Sequence, residues 1–183
     1  MKENIILCGF MGSGKTSIGK LLAKATGKKF IDLDDFIEEQ AGMRVTEIFA
    51  AYGENGFRKM EREAVRSVAG TEGLIIASGG GTVLFQGNVK ALHRTGGKIL
   101  LLNVPLRLLQ MRLKNDKKRP LLQVPNRKQV IAELYKRRIP LYKAVSDIVI
   151  PAAAPPKKVV KRIIEVLEIP EISGKEKKTD DRK

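Results

Sequence analysis

The chain has 183 residues, a formal net charge of +15 and 43 % hydrophobic residues, which is typical of one domain with a sizeable core, with or without a tail. A single cysteine excludes an internal disulfide, and no apolar run approaches the roughly 18 residues that span a bilayer. We therefore expect a cytoplasmic protein with no membrane partner, because a lone cysteine fits a reducing compartment and the start does not resemble a signal peptide.

The first predicted elements are a strand over residues 4–8, a glycine-rich loop and a helix over 15–26. The loop, residues 9–16, has the pattern G-x-x-x-x-G-K-[ST], which is typical of a phosphate-binding loop between a strand and a helix. Its glycines let successive backbone N–H groups point at phosphate oxygens. Lys15 can bring a positive charge to the β- and γ-phosphates, and the Thr16 hydroxyl can ligate Mg²⁺. The alternative is an ordinary glycine-rich turn with a surface lysine.

The second predicted strand, over 29–33, brings two carboxylates to its end, Asp32 within the strand and Asp34 directly after it. Side chains two residues apart on a strand point the same way, so both would face the same side of the strand end. Asp32 is the better candidate for Mg²⁺, directly or through water. Asp34 could orient a substrate hydroxyl or accept its proton. The alternative is that Asp34 or Asp35 caps the next predicted helix, over 34–41.

Two further predicted helices, over 45–52 and 55–69, and a strand over 74–78 carry the next candidates. Arg58 lies near the start of the second helix, where Glu61 can pair with it from three residues on and hold its guanidinium. Gly79-Gly80-Gly81 follows the strand, and three glycines there permit close approach of a ligand to bare backbone. A flexible turn is an equally good explanation of the glycines.

The rest of the chain continues to alternate between helices and strands. Within a predicted helix over 126–144, Pro140 should kink or break the helix just after Arg138, whose guanidinium suits a carboxylate or a phosphate. The alternation predicts an α/β fold with a parallel sheet, whose carboxyl edge binds ligands. The other predicted elements are helices over 86–95, 105–115 and 155–167 and strands over 98–104 and 147–150.

Residues 107–143 contain twelve basic residues against two acidic ones, a net +10 of the chain's +15. Such a block can attract nucleic acid, or small polyanions such as nucleotides and carboxylates. Within it, we interpret the polar and basic residues 114–129 as a mobile flap. From the flap Arg119 could swing over a transferred phosphoryl group, and Arg112 could stack on a purine face. For individual basic residues a solvated surface position is the alternative.

Together these strings resemble the shikimate kinase family over about residues 3–167. Other small-molecule kinases share the glycine-rich loop, whereas the ordered set is far more specific. Ser78, where the family more often has Thr, and the charged tail are slight departures. The strings are the loop, Phe30-Ile31-Asp32-Leu33-Asp34, Gly53-Glu54 with Phe57-Arg58 and Glu61, Gly79-Gly80-Gly81, Arg119-Pro120-Leu121-Leu122 and Arg138-Ile139-Pro140-Leu141-Tyr142.

The resemblance implies a role for each candidate residue, with shikimate and ATP as substrates and Mg²⁺ as cofactor. Lys15, Asp34 and Arg119 would be the catalytic residues, and Thr16 and Asp32 would hold the metal. The remaining roles are ATP binding by Gly12, Ser13, Gly14, Lys15, Thr16, Ser17, Arg112 and Arg119, and shikimate binding by Asp34, Arg58, Gly79, Gly80, Gly81 and Arg138.

The resemblance also implies the P-loop kinase fold, three α/β/α layers around a five-stranded parallel sheet of order 2-3-1-4-5. We expect one domain over 1–168 with a lid at about 113–125, a charged, disordered tail over 169–183, and a monomer with no nucleic-acid partner. Two alternatives stay open: a kinase for another hydroxylated acid such as gluconate, and a non-catalytic protein that binds ATP and nucleic acid. An aromatic content of 5 % without Trp disfavours the second, because aromatic side chains provide base stacking.

Overall fold

The computed structural model describes residues 2–116 and 122–170, which form one five-stranded sheet and seven α-helices. Every strand is followed by at least one helix, as the alternation in the sequence predicts. The strands are β1 (Ile5–Cys8), β2 (Lys29–Asp32), β3 (Leu74–Ala77), β4 (Lys98–Asn103) and β5 (Ile148–Pro151). The helices are α1 (Lys15–Thr26), α2 (Leu33–Ala41), α3 (Val45–Ala69), α4 (Gln86–His93), α5 (Leu106–Leu113), α6 (Arg127–Val145) and α7 (Pro156–Leu167), with a 3₁₀ turn at Thr82–Leu84.

The sheet is parallel throughout and has the order β2-β3-β1-β4-β5, which confirms the expected fold class. Helices cover both faces, so the central strands β1 and β3 are buried at every residue and β4 at most of its residues. Cys8 is buried in β1, as expected for a small core residue. Because all strands run the same way, the loops that follow β1, β2 and β3 leave from one edge of the sheet.

The two helices predicted over 45–52 and 55–69 are the two halves of α3. They meet at a kink at Gly53, where φ is 65° and ψ is −173°. Only glycine adopts that backbone conformation readily. Gly53 therefore ends the first half of α3 and sets the direction of the second half. The second half carries Arg58 and Glu61 toward the carboxyl edge of the sheet.

Of the two expectations for Pro140, a kink or a break, the break is wrong, because α6 is one helix with Pro140 inside it. A proline in a helix interior removes a hydrogen bond and costs about 3 kcal/mol. Burial of Tyr142, which has no exposed surface, and of Ile131 on the same helix offsets that cost. Arg138 therefore projects from a continuous helix rather than from a helix end.

Part of the expected lid and most of the expected tail lie outside the described residues. The parts concerned are residues 117–121, which include Arg119, and residues 171–183. The segments flanking the first gap are described, since α5 ends at Leu113 and α6 begins at Arg127. Within residues 2–116 and 122–170, no helix is both long and apolar enough to cross a membrane.

Candidate active site

The glycine-rich loop joins β1 to α1 and forms the centre of the candidate site. Gly9, Gly12 and Gly14 have φ values of 142°, 77° and 93°, conformations that glycine tolerates and other residues rarely adopt. A side chain at Gly9 would also lie only 3.0 Å from the Leu102 carbonyl oxygen. The Lys15 ammonium donates to the Gly9 carbonyl oxygen at 3.0 Å, so its charge lies against the loop.

The loop has one buried side-chain polar atom that the described residues leave without a hydrogen bond. Ser13 is 1 % exposed, and its Oγ has no partner among residues 2–116 and 122–170. Buried hydroxyls are normally paired, so this one is available to an oxygen ligand in the loop. The first turn of α1 adds the positive end of its helix dipole at the same place, with Thr16 and Ser17 exposed there. The loop therefore has the features that hold a nucleotide phosphate.

Thr16 and Asp32 form a pair of oxygen ligands beside the loop. Thr16 Oγ1 donates to Asp32 Oδ2 at 2.7 Å, and the other oxygen of Asp32 accepts the backbone N–H of Asp34 at 3.2 Å. Asp32 is thus the N-cap of α2. The alternative in which Asp34 or Asp35 caps this helix is wrong, because the strand ends one residue earlier than predicted and Asp32 becomes the capping residue.

A magnesium ion fits this pair in the way it commonly binds in nucleotide sites. No group of three or more His, Cys, Asp or Glu side chains that could hold a metal occurs in the described part of the chain. Magnesium typically takes one or two protein oxygens and completes its octahedron with substrate phosphates and water. The Thr16 hydroxyl and the Asp32 carboxylate are hard oxygen ligands of that kind, next to the phosphate loop.

Asp34 lies in the first turn of α2 and not on a strand, so the strand alternation that placed it beside Asp32 is wrong for this residue. From the first turn of the helix, the Asp34 side chain nevertheless reaches the site, where its Oδ1 lies beside Gly79. Burial, and then the negative charge of Asp32, raise the pKa of Asp34 to about 6, while the nearby Lys15 ammonium lowers it. A carboxylate with this pKa can exchange a proton near neutral pH.

The three glycines after β3 form a bare stretch of backbone bordered by charged side chains. A Cβ built on Gly79 would lie 2.7 Å from Asp34 Oδ1, and one built on Gly81 would lie 2.7 Å from both terminal nitrogens of Arg58. A Cβ on Gly80 would lie 3.6 Å from Arg138 Nη1. Since successive α-carbons are about 3.8 Å apart, one carboxylate and two guanidinium groups border a single short surface.

Arg58 is held from several sides. Its Nη1 donates to Glu61 at 2.9 Å, and its Nε and Nη2 donate to Glu54 at 3.4 and 3.2 Å. The guanidinium also lies 5.4 Å from the ring centre of Phe57 and 5.3 Å from that of Phe85. The i+3 pairing with Glu61 that the sequence predicted is therefore present. Of the five N–H groups of a guanidinium, two remain without a partner in the described part of the chain.

Arg138 lies beside the glycine stretch, and Tyr142 follows it one turn further along α6. The Tyr142 hydroxyl donates to the Gly80 carbonyl oxygen. Burial raises the pKa of Tyr142, whereas the positive charge of the nearby Arg138 lowers it. The phenol thus holds α6, the helix that carries Arg138, against the glycine stretch.

Of the two arginines assigned to the nucleotide, the structure describes Arg112 but not Arg119. Arg112 is exposed on α5, and its Nη1 donates to the carbonyl oxygen of Gly12 at 3.0 Å. It therefore lies next to the phosphate loop, and its contact with adenine stays a prediction. Arg119 lies outside the described residues, so its role at the phosphates stays a prediction as well.

Sequence reasoning missed several side chains that support the candidate residues. Thr82 and Asn88 are buried beside the glycines, and Glu54 and Phe85 contact Arg58. Nothing in the local pattern marks Thr82 or Asn88, because their partners are brought close only by the fold. Glu54, in contrast, lies four residues before Arg58, one residue ahead of the helix predicted over 55–69. That spacing favours an ion pair once the helix includes both residues, as α3 does.

A parallel sheet of this order, with a phosphate loop after its first strand and a cationic acceptor surface beside it, defines the class of P-loop small-molecule kinases. A sequence model of the family described as "Shikimate kinase" matches residues 11–168. The chain belongs to the shikimate kinase family, as the ordered motifs in its sequence predicted.

Individual relatives agree with that assignment over most of their length. A shikimate kinase of Thermodesulfovibrio yellowstonii is 41 % identical over 166 residues, which are 91 % of this chain and 95 % of that protein. One of Geobacter sulfurreducens is 44 % identical over 136 residues, 74 % of this chain and 75 % of that one. The structure of a shikimate kinase from Acinetobacter baumannii in complex with shikimate is similar with a TM-score of 0.85 and 34 % identity, covering 92 % of this chain and 94 % of that chain.

Proposed function

We propose that the chain transfers the γ-phosphoryl group of ATP to a hydroxyl of shikimate and releases 3-phosphoshikimate and ADP. The observation that carries the proposal is the placement of Asp34, Arg58 and Arg138 around three consecutive glycines. Two guanidinium groups suit a carboxylate, which accepts several hydrogen bonds at once. A carboxylate on the same surface suits a hydroxyl of the same small molecule.

In this reaction the chain positions the two substrates and offsets charge, without a covalent intermediate. Arg58 and Arg138 hold the acceptor's carboxylate, and Lys15 neutralises charge on the phosphoryl oxygens. Asp34 accepts the proton of the attacking hydroxyl as the bond to phosphorus forms and the bond from phosphorus to the ADP oxygen breaks. With a pKa of about 6, Asp34 is mainly ionised at pH 7 and able to accept that proton.

Magnesium would be held by Thr16 and Asp32, and when bound it would neutralise charge on the ATP phosphates. Arg119 on the lid and Arg112 next to adenine keep the roles that the family resemblance gave them, as does Ser17 at the phosphates. The monomeric state, the cytoplasmic location and the division into a kinase domain over 1–168 and a tail are likewise proposals.

A coupled assay of ADP release with shikimate, quinate and gluconate tests the function. We expect ADP release that depends on shikimate and exceeds the rate with the other two acids. Lys15→Ala should abolish most of the turnover, whereas Lys24→Ala, an exposed lysine at the far end of the same helix, should leave it unchanged.

Each alternative predicts a different result in the same experiment. Faster turnover with gluconate would make the chain a kinase for another hydroxy acid. ADP release indifferent to all three acids, together with a salt-dependent gel shift of nucleic acid, would overturn the kinase proposal. Full activity of Lys15→Ala would show that the glycine-rich loop does not hold the reacting phosphates.

A further inference from the structure

The carboxylate of Glu61 is buried next to the acceptor surface and has two different partners. It is 1 % exposed, one of its oxygens accepts from Arg58 at 2.9 Å, and the other accepts from the Thr82 hydroxyl at 2.7 Å. A buried carboxylate oxygen without a donor is costly, so both partners are needed for this arrangement. Thr82 therefore helps to fix the orientation of the Glu61 carboxylate, whose other oxygen receives Arg58.

Thr82 is itself held tightly. It has no exposed surface, its N–H donates to the Gly79 carbonyl oxygen at 3.3 Å, and its own carbonyl oxygen accepts from the Asn88 side chain at 2.9 Å. Asn88 is 2 % exposed at the start of α4. The backbone of Thr82 is thus held by the glycine stretch on one side and by α4 on the other, which fixes the position of its hydroxyl.

The hydroxyl and the Asp34 carboxylate both border the first of the three glycines. A Cβ built on Gly79 would be 3.0 Å from Thr82 Oγ1, 3.4 Å from Glu61 Oε1 and 2.7 Å from Asp34 Oδ1. The Thr82–Glu61 pair therefore lies at the same end of the acceptor surface as the proposed proton acceptor.

We propose that Thr82 is a positioning residue for the acceptor: its hydroxyl orients Glu61, and Glu61 orients the guanidinium of Arg58 that receives the acceptor's carboxylate. The proposal rests on the proposed function, because it assigns the carboxylate to Arg58. Without the hydroxyl, the Glu61 oxygen that accepts from Thr82 turns toward other donors. The ion pair between Glu61 and Arg58 is then less well oriented. Affinity for the acceptor should then fall while affinity for ATP, bound at the loop after β1, does not.

The test compares Thr82→Val, which keeps the shape and removes the hydroxyl, with Thr82→Ser, which keeps the hydroxyl. Thr95→Val is the matched control, because the Thr95 hydroxyl donates to the Ala69 carbonyl oxygen, away from the site. For each protein, KM for shikimate, KM for ATP and kcat are measured, together with thermal unfolding. If Thr82→Val does not fold, Thr82→Ala takes its place.

We expect Thr82→Val to raise KM for shikimate by about tenfold or more, since a hydrogen bond to a charged group is lost. KM for ATP should change by less than about twofold, and Thr82→Ser should restore most of the shikimate affinity. Thr95→Val should leave both KM values unchanged. Combining Thr82→Val with Glu61→Gln should give less than the product of the two single effects, because both act through one carboxylate.

Four results would overturn the proposal. Unchanged KM for shikimate in Thr82→Val would show that the hydroxyl does not act on the acceptor. An equal loss in Thr82→Ser, or equal rises in both KM values, would show a role in folding only. Absence of shikimate-dependent turnover in the wild type would overturn both this proposal and the proposed function, whereas an active wild type beside an unaffected Thr82→Val overturns this one alone.

Discussion

The two carboxylates that hold Arg58 provide a matched pair of substitutions in one ion-pair network. Glu61→Gln and Glu54→Gln each remove one negative charge at nearly constant shape. The Glu61 side chain is 1 % exposed and the Glu54 side chain is 68 % exposed, while their oxygens lie 2.9 and 3.2 Å from Arg58 nitrogens. The two substitutions therefore change the same partner at almost the same distance. They differ in solvent screening and in the Thr82 hydroxyl, which donates to Glu61.

The difference in solvent screening sets the expected loss of unfolding free energy for each substitution. Coulomb's law gives about 6 kcal/mol at the Glu61 distance with an effective dielectric constant of 20, and about 1 kcal/mol at the Glu54 distance in water. Desolvation offsets part of the first value, and side-chain ordering offsets most of the second. We expect Glu61→Gln to lower the free energy of unfolding by about 3 kcal/mol, and Glu54→Gln by less than about 1 kcal/mol.

Denaturant unfolding and isothermal titration with shikimate measure both effects. Glu61→Gln should weaken shikimate binding by about ten- to a hundredfold, because Arg58 loses the anchor that fixes its direction. Glu54→Gln should weaken it by about threefold or less, since Glu61 and the two aromatic rings stay in place. Equal effects of the two substitutions, or a harmless Glu61→Gln, would refute the view that the buried carboxylate aims the guanidinium.

Four further predictions concern the same surface. Arg58→Ala or Arg138→Ala should weaken shikimate binding by about 2–5 kcal/mol and change ATP affinity little, and unchanged shikimate affinity in a calorimetric titration would exclude that role. Gly81→Ala should raise KM for shikimate while the protein stays folded, because the new methyl group displaces the Arg58 guanidinium, 2.7 Å away; a normal KM would contradict this. Since the pKa of Asp34 is raised to about 6, kcat/KM should fall tenfold per pH unit below about 6. On acidification from pH 7 to 4, the wild type should gain about 2 kcal/mol of stability relative to Asp34→Asn, because the protonated form is favoured in the fold; a constant difference would argue against the raised pKa.

The features that the sequence predicted well depend on short-range patterns. The phosphate loop is one continuous string, and the pairing of Arg58 with Glu61 follows from helical spacing. The strand order came from the family resemblance, since periodicity alone indicates a parallel sheet without its order. Cys8 could be placed in the core because it ends an apolar strand.

The features that the sequence did not predict depend on a boundary or on a contact between distant residues. A strand that ends one residue early makes Asp32 a helix cap, and α2 begins at Leu33, one residue before the predicted helix. The contact of Thr82 with Glu61 joins residues 21 positions apart, and that of Tyr142 with Gly80 joins residues 62 positions apart. Pro140 stays inside α6 because tertiary burial outweighs a local helix-breaking preference.

The bare backbone of Gly79, Gly80 and Gly81 limits the substitutions that could make this enzyme resistant to an inhibitor. A flat compound resting on it would contact main-chain atoms, which no amino-acid replacement removes. A larger residue at the first or third glycine would push against Asp34 or Arg58. Drug resistance through this surface would thus impair the enzyme's own acceptor site, so escape mutations should arise elsewhere.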